Sequence, residues 1–154
     1  MCLSFDPRGT LIATGSMDNT AKLWDVETGK ERATLMGHTA EIVSLNFNTA
    51  GDRVITGSFD HTVKVWDVNN DFKLLETIVG HKASVLSITY SPLSKLIATA
   101  GRDSTIKVWS ASTWTCERTL EGHTSAVVSL AVCGDKLISG SSDNTIKVWG
   151  AGGT

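Results

Sequence analysis

A chain of 154 residues, 41% hydrophobic and 19% charged, is long enough for one domain with a packed core. Its net charge is −2 and its 14 Lys and Arg are scattered singly, which argues against a nucleic-acid surface or an anionic-membrane patch. No apolar run reaches the length of a membrane span, and none precedes a cleavage site at the N-terminus, so neither spanning nor secretion is expected. The three cysteines, Cys2, Cys116 and Cys133, are odd in number and lack metal-ligand spacing. Each falls in or beside a strand run, where a small buried hydrophobe is expected. Reduced thiols in an intracellular, cytoplasmic protein are the simplest expectation.

Short runs rich in Val, Ile, Leu and Thr, separated by Gly, Asp, Asn and Pro turns, predict an all-β chain. The first runs are 2–5, 11–16, 20–25 and 31–36. Between the first two, Asp6-Pro7-Arg8-Gly9 reads as a turn, since Pro presets φ and Gly accepts a positive one. The next sets are 42–47, 53–58, 62–67 and 73–79, then 85–90, 96–101, 105–110 and 116–120. The last set, 127–132, 136–141 and 145–149, lacks a fourth strand and is followed by a Gly-rich tail expected to be flexible. This predicts about 15 strands, in one domain over residues 1–154.

Three markers recur in register. Gly-His stands at Gly37-His38, Gly80-His81 and Gly122-His123, in steps of 43 and 42. A strand ends in Trp at Trp24, Trp66, Trp109 and Trp149, and a turn Asp (Asp18, Asp60, Asp103, Asp143) lies six residues before each. A period of about 42 with such marks is the signature of a propeller blade, here in repeats 1–36, 37–79, 80–121 and 122–150.

The carriers LIATGSMDNTAKLWD (11–25), VITGSFDHTVKVWD (54–67), LIATAGRDSTIKVW (96–109) and LISGSSDNTIKVW (137–149) resemble the WD-repeat β-propeller family. The resemblance covers essentially the whole chain, although Ser110 and Gly150 replace the Asp that follows Trp at Asp25 and Asp67. It implies about four blades, half a propeller, the last without its outer strand. It also implies a buried hydrogen-bond chain in each blade. The matching sets are His38, Thr56, Asp60 and Trp66; His81, Thr99, Asp103 and Trp109; and His123, Ser139, Asp143 and Trp149. The first repeat offers Thr14, Asp18 and Trp24 without a His.

A His, a hydroxyl and an Asp also suggest a hydrolase triad, but a triad occurs once, beside an exposed nucleophile and an oxyanion hole. Here the set is repeated and ends on a Trp, so no catalysis is expected. Histidines some 42 residues apart, with no paired Cys or His, predict no metal, and no cofactor motif is present. His61 occupies a turn position held by Asn19, Ser104 and Asn144 in its sister copies, and reads as a polar turn residue. Lys22, Lys64, Lys107 and Lys147, each two residues before a Trp, read as snorkelling side chains. Trp114 stands outside the repeated Trp position and either covers a blade edge or meets a partner.

The resemblance implies a rigid platform for other proteins. Contacts are expected at Met17, Phe59, Arg102 and Ser142, just before the turn Asp residues, and at Glu41, Val43, Ser84, Leu86, Ala126 and Val128, where inner strands begin. Residues 2–67 more narrowly resemble the family of dynein assembly factors with WD repeats. That resemblance implies an adaptor for axonemal outer-arm dynein assembly and ciliary transport. Two alternatives stand beside it: a substrate-recognition module of a ubiquitin ligase, and a truncated or engineered half-ring with no function of its own. WD-type rings close with about seven or eight blades. Residues such as Val63, Val65, Ile106 and Val108 need neighbouring blades, so a homodimer that closes the ring is expected.

Overall fold

A computed structural model describes residues 1–150; the tail expected to be flexible lies, but for Gly150, outside them. Fifteen strands form four antiparallel sheets, and no helix occurs among the described residues. Blade 1 holds β1 (Cys2–Phe5), β2 (Leu11–Gly15), β3 (Ala21–Asp25) and β4 (Glu31–Leu35). Blade 2 holds β5 (Ile42–Phe47), β6 (Arg53–Ser58), β7 (Thr62–Asp67) and β8 (Lys73–Val79). Blade 3 holds β9 (Val85–Ser91), β10 (Leu96–Gly101), β11 (Ile106–Ser110) and β12 (Cys116–Leu120). Among the described residues, blade 4 holds β13 (Val127–Cys133), β14 (Lys136–Ser141) and β15 (Ile146–Trp149). Strands pair in sequence order within each blade, as the repeat predicts.

Local chemistry fixes the hairpins. At every second-to-third-strand turn, the Asp carboxylate accepts the amide of the Thr two residues on: Asp18 from Thr20, Asp60 from Thr62, Asp103 from Thr105, Asp143 from Thr145. The residue between them is left-handed, with φ of 70° at Asn19, 72° at His61, 65° at Ser104 and 67° at Asn144. Asn tolerates that region better than other non-glycine residues, which explains two of the four copies. The turn after β1 is closed by the Asp6 carboxylate, which accepts the amides of Thr10 and Leu11 at 2.6 and 2.8 Å. The Asn48 side chain does the same after β5, for Asp52 and Arg53.

The core lies between blades. The inner strands β1, β5, β9 and β13 stand side by side, and aliphatic residues of β3, β7 and β11 pack against the next blade. Small residues on the second strands make the seat: a Cβ on Gly57 would stand 2.9 Å from both Ile88 Cδ1 and Val85 Cγ1, and one on Gly15 2.8 Å from Ile42 Cγ2. Blades are also pinned by single polar contacts. The Ile88 amide donates to Ser44 Oγ at 2.9 Å, and the Leu130 amide to Ser87 Oγ at 3.1 Å. Phe47 is buried between blades 1 and 2, whereas Tyr90 borders a cavity of about 190 Å³ with Ile55, Ile97 and Trp114, and Val132 one of about 110 Å³ with Leu96, Ala98 and Val108.

Both ends of the row are open. On blade 1, Leu3 and Phe5 are 65% and 55% exposed; on blade 4, Ile146 and Val148 are 76% and 60% exposed. Their counterparts Leu45, Phe47, Ile106 and Val108 are buried. The cysteines differ from expectation. All three are free, yet Cys116 and Cys133 are exposed and Cys2 is only half-buried. Cys116 opens an outer strand and Cys133 ends β13 at a hairpin, so neither reaches an inter-blade face.

Candidate interaction face

The three Gly-His repeats each build one buried chain of hydrogen bonds. In blade 2, His38 Nδ1 lies 2.7 Å from Asp60 Oδ2 and His38 Nε2 2.8 Å from Thr56 Oγ1. Trp66 Nε1–H donates to the same Thr56 oxygen at 3.0 Å. A carboxylate only accepts, so Nδ1 carries the proton. Nε2 must then accept from the Thr56 hydroxyl, whose oxygen takes the indole N–H. Blade 3 repeats this with His81–Asp103 at 2.9 Å, His81–Thr99 at 2.7 Å and Trp109–Thr99 at 2.8 Å. Blade 4 repeats it with His123–Asp143 and His123–Ser139 at 2.8 Å and Trp149–Ser139 at 2.9 Å. Blade 1 keeps only the Trp24–Thr14 bond at 3.0 Å.

Electrostatics follow from burial. Desolvation pushes the His38 and His81 imidazoles below their ordinary value and outweighs the upward pull of Asp60 and Asp103. Burial alone would raise the Asp60 carboxyl. Hydrogen bonds from Thr62, the Thr39 amide and His38 reverse that and lower it to about 2. Asp103 is lowered in the same way against burial, and Asp143 is lowered chiefly by the Thr145 hydroxyl. The neutral imidazole is thus a fixed strut between a carboxylate and a hydroxyl. Thr56, Thr99 and Ser139 are completely buried, out of reach of a substrate. Among the described residues, no three His, Cys, Asp or Glu side chains cluster as metal ligands.

The His–Asp contacts of blades 2, 3 and 4 tie down the turns that carry Phe59, Arg102 and Ser142. In blades 2, 3 and 4, the residue before the turn Asp donates its amide to the segment that leads into the inner strand. Phe59 donates to Glu41 O, Arg102 to Ser84 O and Ser142 to Ala126 O, at 3.0, 2.9 and 2.9 Å. Each turn residue is thereby held beside the start of its own inner strand, on one face of the row. Met17 is exposed on the corresponding turn of blade 1, Arg102 and Ser142 are exposed, and Phe59 is 36% exposed. Glu41, Val43, Ser84, Leu86 and Ala126 are half-buried, and Val128 is exposed at the open end.

Other singled-out residues have structural places. His61 occupies the left-handed turn position. The Lys64, Lys107 and Lys147 stems lie over Gly37, Gly80 and Gly122, beside the rings of Trp66, Trp109 and Trp149. Lys22 Nζ stands 5.8 Å from the centre of the Trp24 ring and ion-pairs with Glu31 at 2.6 Å. Trp114 takes a φ of 59°, at the loop position where blade 1 has Gly29. Its half-buried ring packs with Tyr90 and Ala111 against the core between blades 2 and 3. The pinning serines Ser44 and Ser87 escaped the sequence reading, although Cys2, Ser44, Ser87 and Ser129 repeat in steps of 42, 43 and 42.

Comparison with known proteins adds an independent line. A family model described as WD domain, G-beta repeat, matches residues 1–25, 29–67, 72–110 and 114–150. Mitochondrial division protein 1 of Kluyveromyces lactis is 26% identical over 149 residues, 96% of this chain and 17% of that protein. Nuclear distribution protein nudF 2 of Aspergillus clavatus is 44% identical over 45 residues, 29% of this chain and 10% of that protein. A probable E3 ubiquitin ligase complex SCF subunit sconB, from Arthroderma benhamiae, is 60% identical over 35 residues, 23% of this chain and 5% of that protein. The chain thus spans less than a fifth of the length of each of these relatives. No described segment is a helix long and apolar enough to cross a membrane. Because the family model reaches into every one of the four sheets, the chain belongs to the WD-repeat family.

Proposed function

We propose that this chain is a non-catalytic platform that binds a protein partner through its turn face. One observation carries the reading: an exposed Met17, Phe59, Arg102 and Ser142 stand at the same position of the four second-to-third-strand turns. In three of the blades, that residue is tied by its amide to the inner-strand segment holding Glu41, Ser84 or Ala126. Aromatic and Arg side chains on rigid supports are the usual interface anchors, with polar neighbours as rim. Quantitative pull-down with a Phe59→Ala/Arg102→Ala chain tests it. The double variant should melt as the parent does and lose the partner, each change costing about 1–2 kcal/mol of affinity. Undiminished recovery would remove the site from this face.

The finer reading is an adaptor in axonemal outer-arm dynein assembly, cytoplasmic and ciliary. Its support is the resemblance of residues 2–67; none of the three relatives above carries such a name. Co-precipitation of intraflagellar-transport components by the parent, and not by the double variant, is its test. Substrate recognition in a ubiquitin ligase rests on the 35-residue match to the SCF subunit, and capture of ligase subunits would favour it. Self-association has its own observation, the apolar residues Leu3, Phe5, Ile146 and Val148 exposed at the two open ends. A two-fold pairing of two chains would bury both ends at once. Light scattering after size exclusion should then give the mass of a homodimer; a monodisperse monomer with a cooperative melt would refute it.

A further inference from the structure

The gap between blades 2 and 3 is filled differently from the gap before it. Between blades 1 and 2, Phe47 is buried, and Val68, Phe72 and Leu74 pack against the same cluster. The matching positions of blade 3 hold Tyr90, Ala111, Trp114 and Cys116, since Trp66 pairs with Leu74 and Trp109 with Cys116. Ala for Val and an exposed Cys for Leu remove side-chain volume. A cleft of about 190 Å³ is left, with the completely buried Ile55 and Ile97 among its walls. A cavity of about 150 Å³ takes one benzene ring, so this cleft has room for one aromatic side chain and little more.

The charges around the cleft are not balanced alike. Asp52 Oδ1 accepts from Asn48 Nδ2 at 2.6 Å, and Arg53 Nη1 donates to Asp52 O at 2.7 Å and to Asp67 Oδ1 at 2.9 Å. These acids and this cation are thus engaged with one another. Lys95 is exposed and makes no ion pair among the described residues. It stands where blade 2 has Asp52: the Val68 amide donates to Asp52 O, and the Ala111 amide to Lys95 O, both at about 3.0–3.1 Å. The sign of the charge at the mouth is therefore reversed between the two gaps. Among the described residues, the Tyr90 hydroxyl and the Trp114 indole N–H have no protein partner either. Trp114 holds a φ of 59° where blade 1 has Gly29 at 68°, so an indole is kept on backbone that suits glycine.

We propose that this cleft takes a single Phe side chain from an acidic segment of a partner protein, with a neighbouring carboxylate on Lys95. The ring enters beside Tyr90 and Trp114, where edge and offset contacts between aromatics are favourable. Lys95, the lining cation without an acid of its own, selects the negative charge. A protein segment is favoured over a metabolite because small-molecule sites generally enclose about 300–1,000 Å³. A second copy of this chain is disfavoured because its own Phe–Asp neighbours are engaged. Asp6 and Asp60 are bound within their turns, and Phe72 packs between blades 1 and 2. The cleft is built from first-to-second-strand and third-to-fourth-strand loops, at the strand ends opposite the turn face. The Phe59→Ala/Arg102→Ala chain keeps it intact, so either reading can fail alone.

The probe is a fluorescein-labelled peptide, Gly-Ser-Phe-Glu-Asp-Ser-Gly, titrated into the chain and read by anisotropy and by amide chemical shifts. Saturable one-to-one binding is expected, with shifts centred on the segments of Asn48, Tyr90 and Trp114. A peptide with Ala in place of Phe should bind about 10-fold more weakly or worse. A Lys95→Gln chain should bind the acidic peptide about 2- to 5-fold more weakly, and Lys95→Glu should prefer a peptide with two lysines in place of the acids. Ala111→Val restores the packing of Val68 in the previous gap, so it should melt no lower than the parent and yet weaken the peptide. Absence of saturable binding, equal binding of the Ala peptide, or undiminished binding to a folded Ala111→Val chain overturns the proposal. If 3-phenylpropionate binds as tightly as the peptide, the cleft belongs to a small carboxylate; if a chain dimer dissociates as the peptide binds, it belongs to a second copy. Either result overturns the choice of partner.

Discussion

Thr56→Val keeps the shape of a completely buried side chain and deletes one oxygen. That oxygen takes the Trp66 indole N–H at 3.0 Å and meets His38 Nε2 at 2.8 Å. The substitution therefore strands two buried polar groups. Each unsatisfied group costs about 1–3 kcal/mol, so the variant should lose about 2–6 kcal/mol. Small domains have only about 5–15 kcal/mol in total, so the loss is easily read. The same change at Thr14 strands only the Trp24 N–H, in a half-buried site that water reaches, and should cost about 1 kcal/mol or less. Chemical denaturation of both variants with a common slope gives the two numbers. The reasoning is refuted if Thr56→Val stays within about 0.5 kcal/mol of the parent, or if Thr14→Val costs as much as Thr56→Val.

Acidification should destabilise the fold in two steps. His38 and His81 are pushed below their ordinary 6.5, so their contribution is complete above that pH and is lost as pH falls below it. Asp60 is lowered from 3.8 to about 2, so its contribution is complete above 3.8 and disappears as pH falls through about 2. Melting temperatures at pH 7, 5 and 3 should descend in that order, and a flat profile between 7 and 5 would contradict the burial of neutral imidazoles. Gly80→Ala would bring a Cβ within 2.5 Å of Trp109 Cη2 and should cost about 1–3 kcal/mol by thermal melt; a neutral result would mean the ring moves freely. His61→Asn, at a φ of 72°, should stabilise by about 0.5 kcal/mol in the same assay, and a loss would show that the imidazole has a contact worth more than the strain.

The strands were legible because two local signals coincide: alternation over five to seven residues, and Asp-x-Thr at every second-to-third-strand turn. Ends shift by a residue where a side chain belongs to a turn, as at Ser16, whose amide closes onto Thr20 O outside β2. The tetrads were legible because each spans one repeat, with a fixed distance from His to Asp to Trp in blades 2 and 3. Contacts across blades were not. Ser44 looks like a solvent-facing polar residue until the next inner strand is set against it, and Asp6 looks like any turn carboxylate until its two amides are counted. The exposure of Cys116 and Cys133 depends on which edge of a blade their strand ends occupy, which alternation does not encode.

The glycine seats turn the open end into something genetics can read. A Cβ at Gly15 or Gly57 collides with the following blade, whereas at Gly140 it meets nothing within 4 Å. An isolated row of four blades should therefore accept Ala, Val or Leu at position 140 while rejecting them at 57. If cells expressing a saturation library at position 140 reject those same residues, something occupies that seat in life. The pattern of rejected sizes would then give the depth to which it fits, with no need to know its identity.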